Sequence, residues 1–266
     1  MAGTEHLTVR REGATLVLTL NRPESKNALS LPMLVGLHDG WLTADEDEEI
    51  RSVVLTGAGG CFCAGMDLKA LAGDGMAGER YRDRMKADPD LHWKAMLRHH
   101  RPRKPVIAAV EGHCVAGGTE ILQGTDIRIA GENAVFGLFE VRRGLFPIGG
   151  STVRLPRQIA RTHALEMLLT GRPYSAGEAA AIGLIGRVVP DGTALDAALA
   201  VAEQINACGP LAVEEVKASV YETAEMTETE GLAAELKRGR PVFATADAKE
   251  GARAFAEKRP PVYRRL

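Results

Sequence analysis

The chain has 266 residues, 45% of them hydrophobic, with 33 basic and 35 acidic side chains and a net charge of −2. That is enough apolar chain for a sizeable core, and the balanced, interspersed charge argues against nucleic acid or an anionic membrane as partner. No apolar run approaches the ~18 residues of a membrane span, and Met1 to His6 lacks a signal-peptide core, so a cytoplasmic protein is expected.

Leu7 to Arg10 and Ala14 to Leu20 alternate around Arg11-Glu12-Gly13 and predict a hairpin. Asn21 to Asn27 is turn chemistry, and Ser30 is placed to cap a helix through about Thr43. Arg22 and Lys26 bring positive charge to this loop, as solvated surface or as a phosphate contact. Ser52 to Thr56 reads as a strand, followed by a glycine-rich turn from Gly57 to Gly65. The turn fails as a P-loop, because Met66 and Asp67 stand where Lys and Ser or Thr are needed. It fails as a dinucleotide fingerprint too, since Phe62 occupies the third glycine position. What remains is a strand, a glycine turn and a helix start that offers a backbone amide at Met66; Asp67 belongs to that site or is simply a first-turn acid.

Cys61, Cys63, Cys114 and Cys208 include no C-x-x-C pair, so reduced thiols used for packing are expected rather than disulfides, zinc ligands or a nucleophile. Gly73 to Pro89 shows no periodicity and suggests a mobile connection or lid. His92, His99 and His100 follow on a predicted helix ending before Arg101, as surface residues rather than metal ligands.

The chain is organised around Pro105 to Gly118. Val106 to Val110 is a buried strand that should end near Glu111; Gly117 and Gly118 free the backbone, and Thr119 to Leu122 reads as a first helical turn. Unpaired N–H groups at such a start favour negative charge. An amide followed three residues later by the Glu120 carboxylate makes two parts of a site for chemistry next to a carbonyl. Asp126 to Ala130 and a segment through Phe136 predict strands, beyond which Glu140 on its own would be a surface carboxylate. Gly149-Gly150-Ser151 starts a helix through Ile159 but does not fit G-x-S-x-G, so a serine nucleophile is unsupported. His163 to Thr170 is helical, and from Ser175 helices dominate: Glu178 to Ile182, Leu195 to Ala207, Ala212 to Thr223, Thr229 to Arg238 and Asp247 to Lys258, with one strand near Val188.

The segments N-R-P-E-S-K-N-A-L (21 to 29), C-A-G-M-D-L-K (63 to 69), K-P-V-I-A-A-V-E-G (104 to 112), A-G-G-T-E (116 to 120), Phe136 to Gly150 and F-A-E-K-R (255 to 259) occur in this order. Together they resemble the crotonase superfamily, the enoyl-CoA hydratase/isomerase family, over residues 7 to 259. The resemblance implies an α/β fold: a crotonase (ClpP-like) spiral of ββα repeats over residues 1–190, with a helical C-terminal trimerisation region over 191–266. It implies a homotrimer or homohexamer, and a coenzyme A thioester whose carbonyl oxygen lies between the N–H groups of Met66 and Gly117. Lys26, Ala28, Ala64, Asp67 and Leu68 would run along the CoA moiety, with Phe255 and Lys258 reaching it from the C-terminal region, across subunits in an oligomer. Hydratases of the family carry two glutamates, and Glu120 and Glu140 fall on both positions. Water activation is assigned jointly to the pair, with Glu120 as base and Glu140 as proton donor to C2. No metal or redox cofactor is implied, coenzyme A being part of the substrate.

The chain departs from the family pattern at Met66, where a small residue is common, and at Phe139, which replaces a frequent proline; Arg142 and Arg143 lie close enough in sequence to hold Glu140 ionised if either touched it. I-L-Q-G-T-D-I-R (121 to 128) and R-R-G-L-F-P-I-G-G-S (142 to 151) look similar to an actinobacterial branch of hydratases, some acting on bulky sterol side-chain thioesters. Double-bond isomerisation, carnitinyl-CoA-type dehydration and non-catalytic acyl-CoA binding are the competing readings. Two retained carboxylates favour hydration.

Overall fold

The computed structural model describes residues 3–67 and 78–266. A six-stranded sheet carries the chain: β1 (Leu7–Glu12), β2 (Thr15–Leu20), β3 (Ser52–Gly57), β4 (Val106–Val110), β6 (Ile127–Gly131) and β9 (Arg187–Val189), in that spatial order. β1 and β2 form the predicted antiparallel hairpin, with Leu7 opposite Leu20, and every later pairing is parallel. The parallel strands are covered on both faces, which is why their sequences are nearly continuous apolar runs. One face, including Leu16, Leu18, Val53 and Leu55, packs with Leu34, Leu37 and Trp41 of helix α1 (Leu31–Glu46) in the main core. Val17, Val54, Ile107 and Ile129 on the other face meet Ala194, Ala198 and Ala202 of helix α8 (Ala194–Asn206). Alanines four residues apart let that helix lie close to the strands. Ser30 caps α1 by accepting from the Met33 N–H, as the sequence predicts.

A second, three-stranded sheet of β5 (His113–Val115), β7 (Val135–Gly137) and β8 (Tyr174–Ser175) corrects the expectation that the chain passes straight from β4 into a helix. It turns instead at Gly112 (φ 55°), adds β5, and only then enters helix α4 (Gly117–Leu122), two residues before the predicted start. Three residues of strand are too few to leave an alternation that can be read. Among the described residues, helix α2 (Glu79–Ala87) occupies most of the stretch expected to be a mobile connection; residues 73–77 lie outside the description. α2 buries only Tyr81 fully, against Val35 and Leu91, and is held by the Arg84–Asp39 ion pair at 2.6 Å, so its apolar period is faint. Helix α3 (Leu91–Ala95) is shorter than expected: His99 and His100 fall beyond it and pair with Asp90 (2.6 Å) and Asp45 (3.2 Å). The four cysteines are free thiols, and burial pushes the Cys63 thiol up to about 12.

The C-terminal part continues through α5 (Ser151–Gln158), α6 (Arg161–Thr170) and α7 (Ala176–Ala181), then, after α8, α9 (Pro210–Glu222), α10 (Glu228–Gly239) and α11 (Ala246–Ala256). These agree with the predicted helices to within a few residues.

Asn27 is the hinge of the first loop. Fully buried and left-handed (φ 53°), it accepts from the Arg22 N–H at 2.7 Å and donates to the carbonyls of Ala58 (2.9 Å) and Cys61 (2.5 Å). Asn27→Ala would leave these groups unpaired and is expected to cost about 2–4 kcal/mol in denaturant unfolding; a loss below ~0.5 kcal/mol would show that water or backbone movement replaces the bonds.

Candidate active site

The site begins with an extended ribbon, residues 62–67, bonded along both edges. On one edge Phe62 N donates to Glu111 O (2.7 Å), Cys63 N to His113 O (2.8 Å), and Val115 N to Cys63 O (2.9 Å). On the other, Ala64 N donates to Lys26 O (3.0 Å), Leu29 N to Gly65 O (2.7 Å), and Asp67 N to Leu29 O (3.1 Å). Leu29 thus uses the peptide groups flanking Met66, so the Met66 N–H points to the opposite edge, toward Gly117. Gly65 (φ 94°) permits that approach: a methyl there would meet Ala116 Cβ at 2.8 Å and the Gly117 nitrogen at 3.2 Å.

On the facing loop, Ala116 adopts a strained conformation (φ 50°, ψ −124°) held by its N–H bond to Gly137 O at 2.8 Å. The kink turns the Gly117 amide out of the β5–β7 ladder. A methyl on Gly117 would sit 3.5 Å from the Met66 nitrogen. Among the described residues neither the Met66 nor the Gly117 N–H donates a backbone hydrogen bond. Two convergent, unpaired amides in a largely buried setting are suited to an oxygen that becomes negatively charged.

Glu120 lies in the first turn of α4 and is 5% exposed. The Ser151 N–H donates to its Oε1 at 3.4 Å, and Gly149 is pressed so close that a methyl there would stand 2.5 Å from Oε2. Burial first, and the charge of Glu140 second, raise the Glu120 carboxyl to about 7, against hydrogen bonds from Ser151 and Gly149. Glu140 opens the 3₁₀ turn Glu140–Arg143, is half-buried, and holds Oε2 without a hydrogen-bond partner among the described residues. Burial raises its carboxyl as well, opposed by its own backbone amide and by the charge of Arg143.

The charge of Glu140 helps to raise Glu120, so the two carboxyls titrate as a coupled pair. With its carboxyl raised to about 7, Glu120 can hold or release a proton near neutral pH. Neither neighbouring arginine clamps Glu140: Arg142 donates to Thr170 O at 3.2 Å, and Arg143 forms no ion pair with it among the described residues.

Lys26 is exposed, and the half-buried Ala28 and Ala64 follow along the same rim. Asp67 makes an ion pair with Arg22 at 2.5 Å, which joins the first loop to the ribbon and gives Arg22 a role that neither surface charge nor phosphate contact anticipated. Leu68 lies outside the described residues. Phe255 on α11 is 87% exposed, Lys258 follows just beyond (φ 52°), and no hydrogen bond or ion pair among the described residues ties either to the cleft within this chain. Phe139 lays its ring over Gly137, where a methyl would meet it at 2.3 Å. Sequence reasoning missed Asn27 and Arg22 as clamps, and Gln123 and Ser151 beneath Glu120. For Gln123 the signal was its spacing of three residues from Glu120 on one helix.

Comparison with known proteins gives concordant results. The profile of the enoyl-CoA hydratase/isomerase family matches residues 10–265. The chain is 52% identical over 253 residues to the enoyl-CoA hydratase EchA19 of Mycobacterium tuberculosis, covering 95% of this chain and 94% of that protein. It is 36% identical to the mevalonyl-coenzyme A hydratase SIDH of Beauveria bassiana, over 94% of this chain and 91% of the relative. A crystal structure of an enoyl-CoA hydratase from Mycobacterium tuberculosis H37Rv superposes with a TM-score of 0.88 at 40% identity, over 98% of this chain and 99% of that one.

Proposed function

The chain belongs to the enoyl-CoA hydratase/isomerase family and has the crotonase fold, and from that premise we propose that it is an enoyl-CoA hydratase in which Glu120 and Glu140 carry the reaction. It adds water reversibly across the 2,3 double bond of a 2-trans-enoyl-CoA to give the 3-hydroxyacyl-CoA. The observation that carries the assignment of residues is the pair of carboxyls beside two free, convergent amides.

Attack of water at C3 moves electrons onto the thioester oxygen, and donors already aimed at that oxygen stabilise the transition state more than the ground state. The Met66 and Gly117 amides supply those donors. Water loses a proton as its oxygen bonds to C3, and C2 gains one, so the site needs one basic and one acidic carboxyl at the same pH. Two buried, coupled carboxyls, one of them raised to about 7, meet that need. Lys26, Ala28, Ala64, Asp67 and Leu68 serve the CoA moiety in this reading, Asp67 through its hold on Arg22.

The protein works as a homotrimer or homohexamer in the cytoplasm, its C-terminal helices forming the contact. Exposed Val216 (65%), Val220 (63%), Leu236 (57%) and Phe243 (83%) around a cavity of about 650 Å³ support this, and Phe255 and Lys258 would meet a neighbour's CoA across it. No described helix is long and apolar enough to cross a membrane. Leu145, Phe146 and Ile148, exposed directly after the Glu140 turn, support a bulky acyl chain.

The test is loss of the conjugated enoyl-thioester absorbance with 2-enoyl-CoA substrates of increasing size. Hydrated product is expected, with bulky chains at least matching crotonyl-CoA. No turnover at any length would overturn the reaction; crotonyl-CoA far ahead of every larger substrate would overturn the acyl preference.

A further inference from the structure

Beneath Glu120 lies a buried polar group that the chemistry above does not use. Gln123, at the end of α4 and 2% exposed, sends Nε2 to the Thr119 carbonyl (3.1 Å) and to Ser151 Oγ (2.8 Å). Ser151, the first residue of α5, is fully buried, and Gln158 Nε2 donates to the Gln123 carbonyl at 2.9 Å, tying α5 to the end of α4.

These bonds have a fixed direction. The Thr119 carbonyl can only accept, so the amide of Gln123 must face it with its NH₂; the flipped amide would set two oxygens against each other. The same NH₂ then donates to Ser151 Oγ, and the single hydroxyl proton must go elsewhere. Its other polar neighbour is the Glu120 carboxyl, which accepts the Ser151 N–H at 3.4 Å and is held down by the nearby hydroxyl.

We propose that Gln123 and Ser151 form a one-way hydrogen-bond relay that aims the serine proton at the Glu120 carboxyl, making both of them positioning residues for the reaction. The inference rests on the reading of Glu120 as a reacting carboxyl. A donor to a carboxylate favours its ionised form, so the relay counteracts burial and keeps Glu120 able to release its proton near neutral pH. The charged groups facing Glu120 are Glu140 from the 3₁₀ turn and Arg154 from α5. Both stay in place in the variants below.

With Glu120 holding a transferable proton, the rate falls as it ionises, and the alkaline limb of kcat/KM reports that group. Ser151→Ala is expected to move this limb up by ~1 pH unit and to lower kcat ~10-fold with KM within roughly twofold. Ser151→Thr keeps the hydroxyl and should restore both the limb and the rate. Gln123→Met keeps the bulk without the donor, frees the hydroxyl to turn away, and should move the limb part of the way in the same direction; it also carries the test if Ser151→Ala does not fold. A limb at the parent position in Ser151→Ala and Gln123→Met, or Ser151→Thr matching Ser151→Ala, overturns the relay. Glu120→Gln separates the two ideas: undiminished turnover in that variant would sink the active-site reading itself, whereas its loss alongside an unmoved limb in the relay variants sinks the relay alone.

Discussion

Glu120→Gln and Glu140→Gln are each expected to lower kcat by ~10²-fold or more, and the first should at the same time make the protein more stable at alkaline pH. A glutamine cannot exchange a proton, so either change leaves the pair unable to supply an acid and a base together. The stability effect has its sign fixed by linkage. Burial and the neighbouring Glu140 raise the folded Glu120 carboxyl to about 7 from an ordinary 4.5, so the folded state binds this proton more tightly than the unfolded chain. The associated stability is fully present below the unfolded value, falls as pH rises toward the folded value, and is lost above it. The 5% exposure of Glu120 leaves little room for solvent screening, and the cost above pH 8 is about 3 kcal/mol. Glu120→Gln should therefore unfold at higher urea than the parent at alkaline pH and at nearly the same urea below about pH 4, compared at one protein concentration. Parent-like turnover in both single variants would remove the carboxyls from the chemistry. Parent-like stability of Glu120→Gln at alkaline pH would show that Glu120 is hydrated in the folded protein.

Gly117→Ala should lower kcat/KM by ~10²-fold, corresponding to about 3 kcal/mol of lost transition-state stabilisation. The added methyl would sit 3.5 Å from the Met66 nitrogen, crowding the space between the two amides. The fold should tolerate it, since its other near contacts are Leu29 Cδ1 at 3.3 Å and Gly65 Cα at 3.5 Å, and alanine suits a first helical turn. Loss of activity with an unchanged unfolding midpoint is the expected combination. Activity within roughly threefold of the parent would mean that the oxygen is bound elsewhere.

The long elements were legible because their signals are long. Ser30 before an apolar run marks a helix, and Leu7 to Leu20 shows the period of a hairpin. Met66 and Gly117 were singled out by their glycine turns, and Glu120 by its place one turn into a helix. Glu140 was not legible from local pattern: its burial comes from tertiary packing after a turn of four residues, and only the resemblance drew attention to it. β5 escaped because three residues cannot display an alternation. The Arg22–Asp67 pair and the Ser151 contact with Glu120 join positions 45 and 31 apart in the chain, separations at which no local periodicity operates.

The ribbon of residues 62–67 is stitched to the first loop on one side and to β5 on the other, so it cannot slide without breaking both sets of bonds. Among the described residues the stretch 139–148 has no such double anchorage: it is a short turn followed by exposed apolar side chains. Evolutionary change in what the protein accepts is thereby channelled to one wall. Substitutions there can alter the shape of the guest molecule while the electrophile's cradle stays fixed.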